Sequence, residues 1–269
     1  MFVVDEGAGD PPVVLLHGFP TSSFDWRACA DHLKQKRRVV TFDFLGFGLS
    51  DKPQDYSYSL IEQADSVAVV LRELGVRRAH LVAHDMGTSV AAELLARKRH
   101  GLLPFELASL TLTNGSVYIE MAHLTPSQQL LRLPILGSVF ARASSFTTFR
   151  LQVRRILRRS VAEQELRDMF DLILHNDGKP RLAHIIEYIN ERGRFAERWT
   201  GHLRELDLRT LILWGVHDPV AVIGIGERLA REIPGARLER LEDVGHFTPL
   251  EAPDLVSAHL ERFFDDVER

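Results

Sequence analysis

The stretch Leu81-Val82-Ala83-His84-Asp85-Met86-Gly87-Thr88 constrains this chain more than any other. A run of β character over 79–83 meets a small-x-acid-x-small pentapeptide. With no linker, the chain then enters a segment of helical pattern over 88–99. Strand, sharp turn and helix in immediate succession are the layout of a nucleophile elbow, which holds a reactive side chain in a strained turn above a parallel sheet. The small residues Ala83 and Gly87 suit it, because a tight turn brings backbones too close for larger side chains. Elbows usually carry Ser; this one carries Asp85. A carboxylate there attacks saturated carbon or an epoxide ring and leaves an ester on the protein, which water must hydrolyse. A strand ending in a polar turn would look the same in isolation, so the rest of the chain must supply the partners.

The flanking pattern is that of a parallel sheet. Val13-Val14-Leu15-Leu16 is a continuous apolar run of the kind buried on both faces, and 38–42 is another. His17-Gly18-Phe19-Pro20 follows the first, where a Gly lets the next N–H turn toward the space above the sheet and serve as one arm of an oxyanion hole. The loop 43–51 carries Gly46 and Gly48 but lacks the third Gly and immediate helix of a dinucleotide fingerprint, and reads as structural. Ser59-Leu60-Ile61-Glu62 is a capping-box pattern opening a helix that stops at Gly75. Strands follow at 110–113, 210–214 and 237–241, with a last helix over 253–264. Such alternation predicts an α/β fold, a doubly wound, mostly parallel sheet. It breaks between Tyr118 and Leu206, where only helical periodicity is found. The expectation is a core of 1–117 and 207–269 and a helical cap, 118–206, inserted after the sixth strand and lying over the strands' C-terminal edge. Within it Arg150, Arg154, Arg155, Arg158 and Arg159 fall at helical spacing, which reads as a solvated face with Val153, Ile156 and Leu157 turned inward.

Two later turns supply an acid and a base. Asp218 follows the 211–214 strand in Gly215-Val216-His217-Asp218-Pro219, and His246 follows the last strand in Gly245-His246-Phe247. Both sit at the carboxyl edge of the sheet, where sites form in doubly wound folds. Nucleophile, acid, histidine is the chain order that accompanies the hydrolase elbow.

With these residues in place the chain resembles the Asp-nucleophile branch of the α/β-hydrolases, which holds epoxide hydrolases and haloalkane dehalogenases, and within it the mesoderm-specific transcript hydrolase family. Leu16-His17-Gly18-Phe19-Pro20-Thr21-Ser22-Ser23 with Trp26, and Asp43-Phe44-Leu45-Gly46-Phe47-Gly48 through Ser50-Asp51-Lys52-Pro53, carry the likeness in the core. His84-Asp85 extends it, as do Asn176-Asp177-Gly178 and Tyr188-Ile189-Asn190 through Arg198-Trp199 in the cap. Two departures bear on substrate. Dehalogenases resemble one another in a Trp directly after the nucleophile, whose N–H holds the halide; here that residue is Met86, which joins the oxyanion hole through its backbone alone. Phe19 stands where dehalogenases tend to have Asn, as in epoxide hydrolases. The usual N-terminal hairpin is also shortened, to a single strand near 2–5.

The expected activity is a two-step hydrolysis of a small apolar electrophile, foremost an epoxide. Asp85 is the nucleophile and His246 the base, with Asp218 as its partner; the N–H groups of Phe19 and Met86 form the oxyanion hole. An epoxide oxygen needs a proton donor, for which Tyr188 and then Tyr118 are the candidates. The expected pocket is walled by Phe19, Met86, Phe247 and Trp199. A haloalkane dehalogenase using Trp199 or Asn114 as halide donor is the alternative. A non-catalytic binding protein that keeps the elbow is a second, and a Ser89 esterase is least in keeping with the spacing. The formal charge of −4 gives no reason to expect nucleic acid as a partner. No apolar run is of membrane-spanning length, and an acidic N-terminus is unlike a signal peptide. The lone Cys29 points to a reducing, cytoplasmic setting. The twelve His show no metal-ligand spacing, so no metal or cofactor is expected. Substrate and water are the expected partners, and the sequence carries no sign of oligomeric state.

Overall fold

A computed structural model describes residues 1–269. Seven strands form one sheet: β1 (Val3–Glu6), β2 (Val13–Leu16), β3 (Val39–Phe42), β4 (Arg78–His84), β5 (Glu106–Thr113), β6 (Thr210–Gly215) and β7 (Arg237–Leu241). They lie in the order β1-β3-β2-β4-β5-β6-β7, with only β1 antiparallel to its neighbour. This is the doubly wound, mostly parallel sheet that the alternating pattern implies. Helices α1 (Arg27–Leu33), α2 (Leu60–Glu73) and α3 (Met86–Arg99) connect the first half.

The alternation along each strand explains the two layers. Val13, Leu15, Val82, Leu211 and Leu213 point to the side that packs on α1 and the C-terminal helix. Val14, Leu16, Leu81, Ala83 and Ile212 point to the side covered by α2 and α3. Because both faces are covered, the strands read as unbroken apolar runs instead of alternating ones. Ser59 caps α2 by accepting the Glu62 N–H at 3.2 Å, and Gly75, at φ +68°, ends that helix and turns the chain toward β4.

Between β5 and β6 the regular elements are helical. They are α4 (Pro126–Leu131), α5 (Leu136–Ala143), α6 (Phe146–Ile156), α7 (Glu163–Leu174), α8 (Leu182–Ile185), α9 (Tyr188–Arg194) and α10 (Ala196–Thr200), with short 3-10 turns. This insertion follows the fifth strand, one earlier than the expected sixth. β1 is the single strand expected near 2–5, so the strands before the insertion number five. After β6 come α11 (Ile223–Glu232), α12 (Thr248–Glu251) and α13 (Pro253–Glu268). No helix is long and apolar enough to cross a membrane.

The Arg-rich segment is held by exposed ion pairs. Arg150 and Arg154 reach Glu163, while Arg158 and Arg159 reach Asp243, and Phe149 and Val153 turn into a small core shared with Phe247 and Leu250. The loop after β3 is structural: Asp43 accepts from the Ser23 N–H, the Ser23 hydroxyl and the Leu49 N–H.

Candidate active site

Asp85 occupies the turn between β4 and α3 with φ +45° and ψ −111°, a conformation that is strained for any residue but Gly. The turn is possible because its neighbours lack side chains. A Cβ on Gly87 would lie 2.8 Å from the His17 carbonyl, and one on Gly18 would lie 2.6 Å from the Asp85 Cβ. The peptide after Gly18 therefore comes close enough for the Phe19 N–H to donate to Asp85 Oδ2 at 2.8 Å. The Asp85 carbonyl accepts from the Thr88 N–H at 3.1 Å and its hydroxyl at 2.6 Å, which pins the first turn of α3.

Asp218, beyond β6, is held on every side. Its Oδ1 accepts the N–H groups of Val220 at 2.7 Å and Ala221 at 3.0 Å, and its Oδ2 accepts the Asn114 amide at 2.8 Å. The same Oδ2 lies 2.7 Å from His246 Nδ1. That contact assigns the proton to Nδ1 and leaves Nε2 as the free nitrogen of the ring. Burial alone would lower the His246 pKa, but the charge and hydrogen bond of Asp218, with the charge of Asp85, raise it to about 9. Burial would likewise raise the Asp85 carboxyl; the charges of His246, Arg192 and His84 outweigh it and hold the group below its ordinary value. The loop carrying His246 is fastened by Glu251, which accepts the N–H groups of Gly245, Phe247, Arg158 and Arg159, so one carboxylate ties this loop to the insertion.

A cavity of about 80 Å³ lies between the sheet edge and the helices of the insertion. Phe19, Pro20, Val220, His246 and Phe247 form its floor; Leu131, Phe140, Phe149, Val153 and Phe170 form much of its roof. Asp85 and Tyr188 are not in its wall. Both are buried beside Phe19, whose ring centre is 5.6 Å from that of Tyr188.

The other sequence candidates divide sharply. The Tyr188 hydroxyl is buried and forms no hydrogen bond of good geometry, with the Gln128 and Arg192 side chains close by. Its pKa is raised, first by burial and then by the charge of Asp85, which puts the phenol within electrostatic reach of that carboxylate. Tyr118 is not at the cavity. Its hydroxyl donates to Glu232 Oε2 at 2.6 Å and its ring lies under Arg228, so it braces α11. Trp199 is also elsewhere: its indole N–H donates to Glu93 at 2.9 Å, on the far side of α3, because α10 lies along that helix. Asn114 bridges β5 to Asp218 and Gly215 and has no amide hydrogen facing substrate. Met86 is packed into the large core, away from the cavity wall. Phe247 lines it.

Arg192 was not among the residues singled out in the sequence. Its side chain is 2% exposed; Nη2 lies 3.7 Å from Asp85 Oδ1, Nε donates to the Ser89 hydroxyl at 2.8 Å, and the guanidinium sits 4.6 Å over the Tyr188 ring. The signal was present: Arg192 is four residues after Tyr188 on one helix, hence on the same face.

The chain matches the alpha/beta hydrolase fold family over residues 11–253. It is 44% identical to the putative hydrolase LipZ of Mycobacterium tuberculosis over 93% of this chain and 87% of the relative. It is 37% identical to the mesoderm-specific transcript protein of Mus musculus over 90% of this chain and 75% of the relative. Among solved structures, the haloalkane dehalogenase DbeA of Bradyrhizobium elkani superposes with a TM-score of 0.85 over 99% of this chain and 94% of that one. At 21% identity, that likeness is one of fold.

Proposed function

Since the chain belongs to the α/β-hydrolase family, in the group that includes the mesoderm-specific transcript proteins, we propose that it is a cytoplasmic hydrolase that opens an epoxide through an Asp85 ester. The helical insertion 118–206 is its cap, and Phe19 is the ring that stands between the cavity and the Asp85 and Tyr188 side chains.

In the first step Asp85 attacks an epoxide carbon, the ring C–O bond breaks, and the oxygen takes the Tyr188 proton. The esterified Asp85 no longer carries the charge that raised the Tyr188 pKa, while the Arg192 cation remains over the ring. Tyr188 is thereby a stronger acid at the moment an alkoxide, a far stronger base than a phenolate, needs its proton. In the second step His246 Nε2 takes a proton from water, which attacks the Asp85 carbonyl. The Phe19 and Met86 N–H groups hold the oxyanion, each such donor contributing about 3 kcal/mol of transition-state stabilisation. Collapse expels the product oxygen as an alkoxide, which takes the proton of the newly formed Asp85 carboxyl to complete the diol, and the proton on His246 returns to the Tyr188 phenolate, restoring both groups. Asp218 keeps the imidazole in the required tautomer and balances its charge.

The observation that carries the epoxide reading is the unpartnered Tyr188 hydroxyl beside Arg192 and Asp85. A buried donor with no acceptor costs roughly 1–3 kcal/mol unless a ligand supplies one. The halide donors of the dehalogenase alternative are occupied, the Trp199 N–H by Glu93 and the Asn114 amide by Asp218 and Gly215.

A turnover series separates the two. With aryl and alkyl epoxides, haloalkanes and short esters, we expect diol from epoxides, and Tyr188→Phe should lower that rate by roughly 10²–10⁴-fold. Halide release with Tyr188→Phe at wild-type rate would overturn the assignment in favour of a dehalogenase.

A further inference from the structure

The cavity above His246 is not closed by apolar side chains alone. Lys179, in the turn after α7, belongs to its wall and also to the wall of an adjoining polar cleft formed with Gln54, Arg142, Asp177, Pro180 and Arg181. The cations there are under-neutralised. Lys179 and Arg142 form no salt bridge, and Arg181 reaches only Asp177, at 4.0 Å, whose side chain is 78% exposed. Arg181 Nε is buried without a hydrogen-bond partner. The approach to Lys179 is built at a cost: Asn176 and Asp177 both hold positive φ, +50° and +53°. Gly178 follows in a position where a Cβ would meet the Ile173 carbonyl at 2.3 Å.

A wholly apolar ligand filling such a cavity would desolvate an ammonium group and give it nothing in return. An anion at that end would compensate the charge and give Arg181 Nε an acceptor. We propose that Lys179, Arg142 and Arg181 form a head-group subsite, and that the substrate is an amphiphile whose apolar chain lies in the cavity and whose head is a carboxylate or a phosphate monoester. The placement of the reacting carbon rests on the epoxide reading; the recognition of the head does not.

The test uses unreactive probes of one chain length, dodecanoate, dodecyl phosphate and dodecanol, bound to the full chain and followed by calorimetry. Both anions should bind at least about tenfold more tightly than the alcohol at low salt, and added salt should shrink the gap. Lys179→Met should remove most of the gap while leaving the alcohol unchanged, and the exposed Arg142→Gln should act in the same direction even if Lys179→Met fails to fold. The larger of the two anionic gains identifies the head. Equal binding of anions and alcohol by the wild type, or a full anion preference in both variants, would overturn the subsite. Turnover of an epoxy fatty acid and its methyl ester separates this from the parent reading. Preference in binding with no hydrolysis of either sinks the epoxide reading and leaves the subsite. Hydrolysis of both without preference, in step with equal binding, does the reverse.

Discussion

His246 is the residue whose charge state sets the pace of the proposed cycle. Its pKa of about 9 in the resting protein means that the ring is protonated at neutral pH, held so by Asp218 and by the Asp85 charge. A base must be neutral. Esterification removes the Asp85 charge, and with it one of the causes raising the pKa, so the ring loses its proton more readily when it is needed. In single-turnover experiments the hydrolysis step should therefore rise with pH and level off through an apparent pKa below 9. Ester formation should stay flat across the same range, because Asp85 is held ionised well under it. A hydrolysis rate that falls with rising pH would contradict the role of His246. The convergence of Asp85, Asp218 and His246 at one edge was legible because each lies in the turn that follows a strand of the sheet. Tyr118 and Trp199 lie off the cavity, which sequence could not show because a segment's own pattern does not say which neighbour it packs on. Arg192 was overlooked because a lone Arg on a helix of the insertion looks like a solvated one, and only the fold places Asp85 against it.

At the scale of elements, two buried carboxylates join the insertion to the core. Glu251 gathers the N–H groups of the His246 loop and of Arg158 and Arg159. Glu93, on α3, takes hydrogen bonds from Arg97, Arg198 and the Trp199 indole. Burial would raise the Glu93 pKa, but those partners bring it to about 2. Its side chain is 1% exposed on a helix that begins at the Asp85 turn, so it fixes α10 and, through α10, the helix bearing Tyr188 and Arg192. Glu93→Ala leaves an indole N–H and two guanidinium groups without their acceptor. We expect a loss of about 3 kcal/mol in urea unfolding, with a larger fall in epoxide turnover than the residual folded fraction explains. A loss under about 1 kcal/mol, the range of surface pairs, would show that this tie is not structural. Strand runs and caps are local patterns and could be read directly. These ties are not, since Glu93 and Trp199 lie far apart in sequence and each alone resembles an ordinary helical residue.

The whole molecule combines a conventional scaffold with a distinctive chamber. The sheet, its helices and the elbow followed from apolar runs and small residues, and the insertion enters one strand earlier than expected. What distinguishes this chain sits in the insertion: a phenol and a guanidinium turned toward the elbow, an apolar roof, and cations at its rim. The central claim is that the substrate becomes covalently attached to Asp85. If so, His246→Gln blocks the second step more than the first. Intact-mass measurement of that variant after incubation with an epoxide should show one added substrate mass, mapped by peptide sequencing to Asp85. In the wild type, a single turnover in ¹⁸O-water should leave the heavy oxygen in the Asp85 carboxylate and the diol unlabelled. Turnover with no adduct, and with solvent oxygen entering the diol directly, would mean that water attacks the substrate itself, and the ester mechanism would be wrong.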